Sequence, residues 1–446
     1  MSNPESRHYH LVCPLCGSRQ FDDGLALSCS GAHDPALLHT EYMEQKFEPL
    51  ATEEGVFRYR RWLPVVRSVP NSGRTAVFRS EGLARSLGMS NLWIAFNGYW
   101  PEKGGFLETG TFKELEAYTV LGRMPDDGTV LVVASAGNTA AAFASVCSRS
   151  GRPCLLIVPE TGLSKFKLRE PLHPLVRLVV LAGADYSDAI TLSEDVAENP
   201  GFYLEGGVRN VGRRDGLGTV MYSAVEEIGG LPEYYFQAVG SAAGGIAVHE
   251  GAKRFRTSVG TDAALPKLMF SQNEGFAPIY RSWRNGKRAP VHAPCSPAWS
   301  PRNAFADELT NPYPPYGVHS GVYDVLTESG GDVLTVDRES ARAAMRLMKE
   351  MEGIDIEPAA AVATASLLSS AHGGWIDRDA CVLLNITGGG RARMAHDYSL
   401  VQAEPDLLVE AGRPREGVLD EVLGLFSPRD DYALSSDVQV SARPRT

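Results

Sequence analysis

Thr129-Val130-Leu131-Val132-Val133-Ala134 runs straight into Ser135-Ala136-Gly137-Asn138-Thr139. An apolar run of strand length, a turn of small and polar residues, then alanine-rich residues 140–147 read as strand, tight turn and helix. The same code repeats downstream. Leu155-Leu156-Ile157-Val158-Pro159 and Leu178-Val179-Val180-Leu181 are further apolar runs, each followed by a helical pattern. Residues 235–239, 267–270 and 381–386 predict three more core strands. Strands this apolar, linked by helices, predict an α/β protein whose parallel sheets are covered on both faces.

Outward from that core, residues 92–96 predict a buried strand, and residues 80–87 a short helix closed by Gly88. Residues 59–63 read as a helical turn stopped by Pro64, and Asn97-Gly98-Tyr99-Trp100-Pro101 as a turn. Residues 340–351 and 358–370 predict helices. Residues 285–320, rich in Pro, Asn and Ser, predict a long functional loop. No internal repeat is visible.

A length of 446 residues suits two domains with a small addition at one end, and 43% hydrophobic with 22% charged residues suits a core-forming enzyme. The net charge of −11 argues against nucleic acid or an anionic membrane surface as the main partner. No apolar run reaches the roughly 18 residues that span a bilayer. The first eight residues lack the order of a signal peptide. The seven cysteines are odd in number and scattered, so a disulfide framework is not expected and a cytoplasmic protein is. Cys13-Pro14-Leu15-Cys16 is a CxxC knuckle followed by Cys29 and His33. Three cysteines and one histidine fit either a structural zinc ribbon or a degenerate ribbon without metal.

Three Gly/Ser/Thr-rich turns fall at the carboxyl ends of predicted parallel strands, where open α/β sheets bind ligands. Gly240-Ser241-Ala242-Ala243-Gly244-Gly245 precedes a helix predicted to begin near Ile246, so its N–H groups could hold a phosphate. Ser135, Gly137 and Thr139 offer hydroxyls and backbone donors for a carboxylate. Thr387, in Thr387-Gly388-Gly389-Gly390, could meet a heteroaromatic nitrogen. Judged singly, each is an ordinary cap or turn.

The fourth feature is Glu108-Thr109-Gly110-Thr111-Phe112-Lys113-Glu114-Leu115. It is a Gly/Thr turn that places a lysine in the first turn of a helix, where the macrodipole disfavours a cation by a few tenths of a kcal/mol. Lys113 reads either as a solvated surface residue or as an amine of lowered pKa able to form a Schiff base. A phosphate cradle, an amine and a hydroxyl for a ring nitrogen together describe a pyridoxal phosphate site.

Thr109-Gly110-Thr111-Phe112-Lys113 resembles the lysine motif of threonine synthases and other fold-type II pyridoxal phosphate enzymes. Residues 135–139 resemble their asparagine loop, 240–245 their phosphate loop, and Thr387-Gly388-Gly389 their ring-nitrogen turn. The phosphate loop departs in having Ala242-Ala243 where glycines are commoner. The Cys13, Cys16 and Cys29 lead resembles the ribbon at the start of some threonine synthases. Asn97-Gly98-Tyr99-Trp100-Pro101-Glu102-Lys103-Gly104 with residues 108–117 most resembles the cysteate synthases, which make L-cysteate from O-phospho-L-serine and sulfite. Threonine synthases usually carry Asp-Arg after the lysine, where this chain has Glu114-Leu115.

The resemblance implies a two-domain, tryptophan synthase β-like fold. It divides the chain into a ribbon-like lead (1–45), a larger cofactor domain (46–118 and 230–404), a smaller domain (119–229) and a C-terminal tail (405–446). It implies that Lys113 binds the cofactor covalently and serves as general base, that Asn138 holds the ring 3′-oxygen, and that Thr387 meets the ring nitrogen. Gly240, Ser241, Ala242, Ala243 and Gly244 would hold the phosphate. The anionic substrates need local cations. Lys165 and Lys167 are the expected ones, with Arg169, Arg209, Arg213 and Arg214 as further candidates. A homo-oligomer acting on O-phosphoserine and sulfite is expected. A threonine synthase using O-phosphohomoserine, or a binding protein that kept the fold without catalysis, are the alternatives.

Overall fold

The structure, a computed structural model, describes residues 7–135, 137–260, 263–291 and 304–427. Two sheets organise it. The larger has the strand order Asp332–Val336, Lys267–Asn273, Tyr234–Ala238, Val382–Ile386, Leu92–Phe96, Ala76–Arg79. Every neighbouring pair is parallel except the last. The smaller is parallel throughout, in the order Phe202–Leu204, Val130–Ala134, Cys154–Pro159, Val176–Leu181, Leu407–Val409. The central strands Cys154–Pro159 and Val382–Ile386 are buried at every residue. That is why they read as apolar runs with no alternation, broken only by the buried Asn385.

Helices cover the sheets as predicted. Asn138–Ser150 follows the Ser/Gly/Asn turn, Pro358–His372 packs on the larger sheet with Arg338–Glu352 against it, and Gly88 closes Gly82–Leu87 in the left-handed conformation. Helix Val211–Ile228 is buried along most of its length and packs on both Ala243–Ser258 and Lys113–Arg123. Its Gly216 permits that approach. A Cβ there would stand 2.0 Å from Thr119 Oγ1 and 2.4 Å from the Leu115 carbonyl.

Three expectations need correcting. The expected tail is in part ordered structure. Leu407–Val409 adds a parallel edge strand beside Val176–Leu181, and helix Arg415–Gly424 packs on helix Tyr186–Ala197. Residues 428–446 lie outside the described residues. The 97–101 turn extends into a small hairpin of Tyr99–Trp100 with Gly105–Phe106. The phosphate-loop helix begins at Ala243, not near Ile246.

At the N-terminus, Tyr9–Val12 lies between Arg19–Gln20 and His39–Tyr42 in a small antiparallel sheet. A buried ion pair ties this lead to the rest. Arg123 donates from Nε and Nη2 to the two Asp22 oxygens, each at 2.8 Å, and Tyr9 donates to Asp22 at 2.6 Å. Arg123 ends the helix that Lys113 begins. Among the described residues no helix is long and apolar enough to cross a membrane.

Candidate active site

Backbone hydrogen bonds bring the lysine turn and the Thr387 turn together. Phe112 N–H donates to the Thr387 carbonyl at 2.9 Å, and Gly389 N–H to the Gly110 carbonyl at 2.9 Å. Glu114 holds the lysine turn from inside: its carboxylate accepts from Thr109 N–H, from Thr109 Oγ1 at 2.8 Å and from Tyr118 at 2.7 Å. This is the residue that replaces the Asp of the threonine synthase pattern, and here it is a fully buried turn clamp.

The amine of Lys113 opens on a cavity of about 160 Å³ between the two sheets. Asn138, the 240–244 loop, Thr387, Ser135, Gly137, Thr139 and Lys165 all line it. It shares Ser135, Thr139, Tyr186, Arg213, Ser241 and Asn311 with a vestibule of about 690 Å³. Residues 307–311, the described end of the long loop, form one wall, whereas 292–303 lie outside the described residues.

A chain of four charges runs behind the lysine. Lys113 Nζ donates to Glu116 Oε2 at 3.3 Å. Glu116 Oε1 stands 2.8 Å from Arg213 Nη1, and Arg213 Nε donates to Glu205 Oε1 at 2.8 Å. Glu116 is fully buried and Arg213 nearly so. Burial lowers the Lys113 pKa most; Glu116 works against this, and the Arg213 charge adds to it. Arg213 itself is held firmly charged by the two carboxylates.

Other expected cations sort by position. Lys165 lines the cavity, 3.8 Å from Asp307, and Gly137 makes room for it, since a Cβ there would lie 2.8 Å from the Lys165 side chain. Lys167 does not belong to this group. It sits exposed on the short strand Lys167–Leu168, paired with Val401–Gln402, and lines a separate surface hollow. Arg169 pairs with Glu108 at 2.6 Å. Arg214 is taken up by Glu250 and by the carbonyls of Val208 and Leu38, and Arg209 reaches the vestibule.

Two residues lining the cavity, Glu357 and Glu308, and one behind them, Arg391, were not foreseen. Asn138 donates to Glu357 Oε2 at 3.1 Å and accepts from Arg391 at 3.2 Å, while Arg391 also pairs with Glu357. Glu357 immediately precedes helix Pro358–His372, a favoured place for a carboxylate. Glu308 accepts from Ala359 N–H at 3.0 Å through Oε1, while its buried Oε2 has no partner among the described residues. Burial, then Asp307, then Glu357 push its carboxyl up to about 8. Between the ordinary carboxylate range and about 8 the folded chain therefore keeps a proton that the unfolded chain releases. Stability contributed by the neutral acid is lost as pH rises through that window. In Glu308→Gln, the fall in urea midpoint between pH 6 and pH 9 should be smaller than in the unsubstituted chain.

The residues present fit the pyridoxal phosphate that the resemblance implies. Thr111 Oγ1 is buried at the cavity and lacks a partner among the described residues. The start of helix Ala243–Ser258 lines the cavity, and there Ala242 provides no side-chain cap and only a long bond of 3.4 Å runs from Ala243 N–H to Ser241 Oγ. A Cβ at Gly244 would stand 2.9 Å from the Phe112 ring, so the cradle floor must be bare. Asn138 uses one of its two amide N–H bonds, leaving the other for a ring oxygen. Ala242 holds this loop under strain, with φ 59° and ψ 16°. Ala242→Gly should relieve about 1 kcal/mol, seen as a higher urea midpoint with cofactor binding retained.

The four sulfur and nitrogen groups of the lead are also gathered. One ligand atom from each of Cys13, Cys16, Cys29 and His33 lies within 4.8 Å of the others.

Residues 70–388 match the family described as pyridoxal-phosphate dependent enzyme. The cysteate synthase of Methanosarcina barkeri is 42% identical over 407 residues, covering 89% of this chain and 96% of that protein. That of Methanoculleus marisnigri is 44% identical over 427 residues, covering 95% and 98%. Among solved structures, maize serine racemase superposes with a TM-score of 0.54 at 19% identity, covering 71% of this chain and 89% of that one. A lysine-to-alanine mutant of O-ureido-L-serine synthase gives 0.55 at 16% identity, covering 74% and 93%. These two likenesses speak for the fold alone.

Proposed function

Because this chain belongs to the pyridoxal-phosphate dependent enzymes, and among them to the cysteate synthases, we propose that it converts O-phospho-L-serine and sulfite to L-cysteate and phosphate. The observation that carries the proposal on the structural side is the Lys113 amine, held in a buried charge chain and opening on a cavity between a phosphate-type helix start and Thr387.

Bound there, pyridoxal phosphate supplies an electron sink that acidifies the substrate Cα–H and eases departure of the β-phosphate. The chain's own groups do the rest. Lys113 anchors the cofactor and, once its amine is free, takes the Cα proton. Burial and Arg213 keep that amine from holding its proton too tightly. Ser135, Thr139 and the start of helix Asn138–Ser150 orient the substrate carboxylate. Lys165 and Arg213 present positive charge to the leaving phosphate and to sulfite inside an otherwise acidic protein. Thr387 offers the ring nitrogen a neutral hydroxyl, which suits elimination and re-addition at Cβ better than a carboxylate would. The walls of the narrow cavity limit competition from water, which would otherwise divert the product.

The enzyme is proposed to work as a homo-oligomer in the cytoplasm, and described cysteines that form no disulfide suit a reducing compartment. The test is a substrate pair. Cysteate should form from O-phosphoserine with sulfite, and O-phosphohomoserine should yield no threonine. Threonine without cysteate would overturn the reading.

A further inference from the structure

In the Cys13, Cys16, Cys29 and His33 group, whose ligand atoms all lie within 4.8 Å of one another, two of the separations match those of a filled metal site. Cys16 Sγ and Cys29 Sγ are 3.7 Å apart, and Cys13 Sγ and His33 Nε2 are 3.4 Å apart. Tetrahedral zinc, with its ordinary bond lengths, would separate two sulfurs by about 3.8 Å and a sulfur from a nitrogen by about 3.5 Å. The supporting contacts match as well. His33 Nδ1 lies 2.7 Å from the Asp34 carbonyl, which requires the proton on Nδ1 and leaves the Nε2 lone pair facing the sulfurs. Gly31 N–H donates to Cys29 Sγ at 3.3 Å, and Ser18 Oγ lies 3.4 Å from the same sulfur. Such donors share the charge of thiolates.

We propose that these four residues hold a structural zinc ion that fixes one wall of the substrate vestibule. Four protein ligands fill a tetrahedral shell, so no position is left for water or substrate and the ion does no chemistry. Its work is mechanical. From Phe21 to Leu38 the chain has no helix or strand, only the isolated bridge of Ala36 with His319. Yet Leu27, Cys29, His33 and Leu37 from this stretch line the vestibule opposite Tyr186 and Arg213. A segment without a hydrogen-bond ladder holds a wall only if something else fixes it. Asp22 anchors one end on Arg123 and Leu37 the other on His319. The metal cluster pins the middle.

The experiment uses the full-length, cofactor-loaded protein, purified under reducing conditions. Mass spectrometry should find about one zinc per chain. Cobalt exchanged for it should show the visible bands of a tetrahedral thiolate site. Both should be lost in the Cys13→Ser/Cys16→Ser variant, whose residues do not line the cavity, and kept in His33→Cys, which preserves four ligands. Chelation of the zinc from the unsubstituted chain guards against a misfolded variant. It should open residues 27–37 to protease while the pyridoxal phosphate absorbance persists. The kinetic arm rests on the proposed function: KM for O-phosphoserine should rise several-fold on metal loss with kcat little changed. Failure of the substrate reading would silence that arm alone, because metal content and proteolysis are read without turnover. Absence of both zinc and cobalt uptake in the reduced protein overturns the site. Metal loss with unchanged proteolysis overturns the wall.

Discussion

Lys113→Ala should lose the pyridoxal phosphate chromophore and lower cysteate formation by at least about 10³-fold. The loss is expected to be this large because one side chain is proposed to fill two roles, covalent anchor and proton acceptor, and the nearest cation cannot substitute. Arg213 is committed to Glu116 and Glu205, and a guanidinium does not give up its proton at any pH the fold tolerates. Lys165 is held toward Asp307 on the far wall. Absorbance after cofactor addition and product assay together check the prediction. A retained chromophore with retained turnover would mean that another amine does this work.

Arg213→Met should be the most damaging substitution away from the lysine itself. It keeps the length of the side chain and removes the charge between two buried carboxylates. Leaving such groups unpaired costs about 3–5 kcal/mol, which should appear as a large drop in urea midpoint. It should also change the chemistry in a direction fixed by electrostatics. Arg213 lowers the Lys113 pKa and Glu116 raises it. Without Arg213 only burial still opposes Glu116, so the amine holds its proton to higher pH and the acid limb of the pH–rate profile moves upward. Lost stability with an unmoved profile would show that Arg213 is only a structural partner.

The parallel sheets were legible because their strands are buried on both faces and so spell apolar runs, unbroken in Cys154–Pro159 and interrupted in Val382–Ile386 only by Asn385. Leu407–Val409 escaped notice because three apolar residues at a sheet edge give too short a signal. The turns that gather around the cavity could be read from their glycines and hydroxyls, since those residues are demanded locally. Glu357, Arg391 and Glu308 could not. Each is an ordinary charged residue in its own segment and acquires meaning only where distant segments meet, as when Asn138 reaches Glu357. Arg213 stood in the sequence as one of several cations; Arg214 is buried as well, and what separates Arg213 from it and from Lys167 is its place at the cavity between Glu116 and Glu205. Lys165 and Lys167 differ by two positions, yet only the first lines the cavity, because the second has already entered a strand on the surface.

The central claim is that sulfite carbon–sulfur bond formation occurs in the cavity above Lys113. Incubating the cofactor-loaded protein with O-phospho-L-serine and radiolabelled sulfite tests it directly. The label should enter L-cysteate in step with phosphate release, one for one, and Lys113→Ala should give neither product. Phosphate released from O-phosphoserine with no label in cysteate would contradict the account.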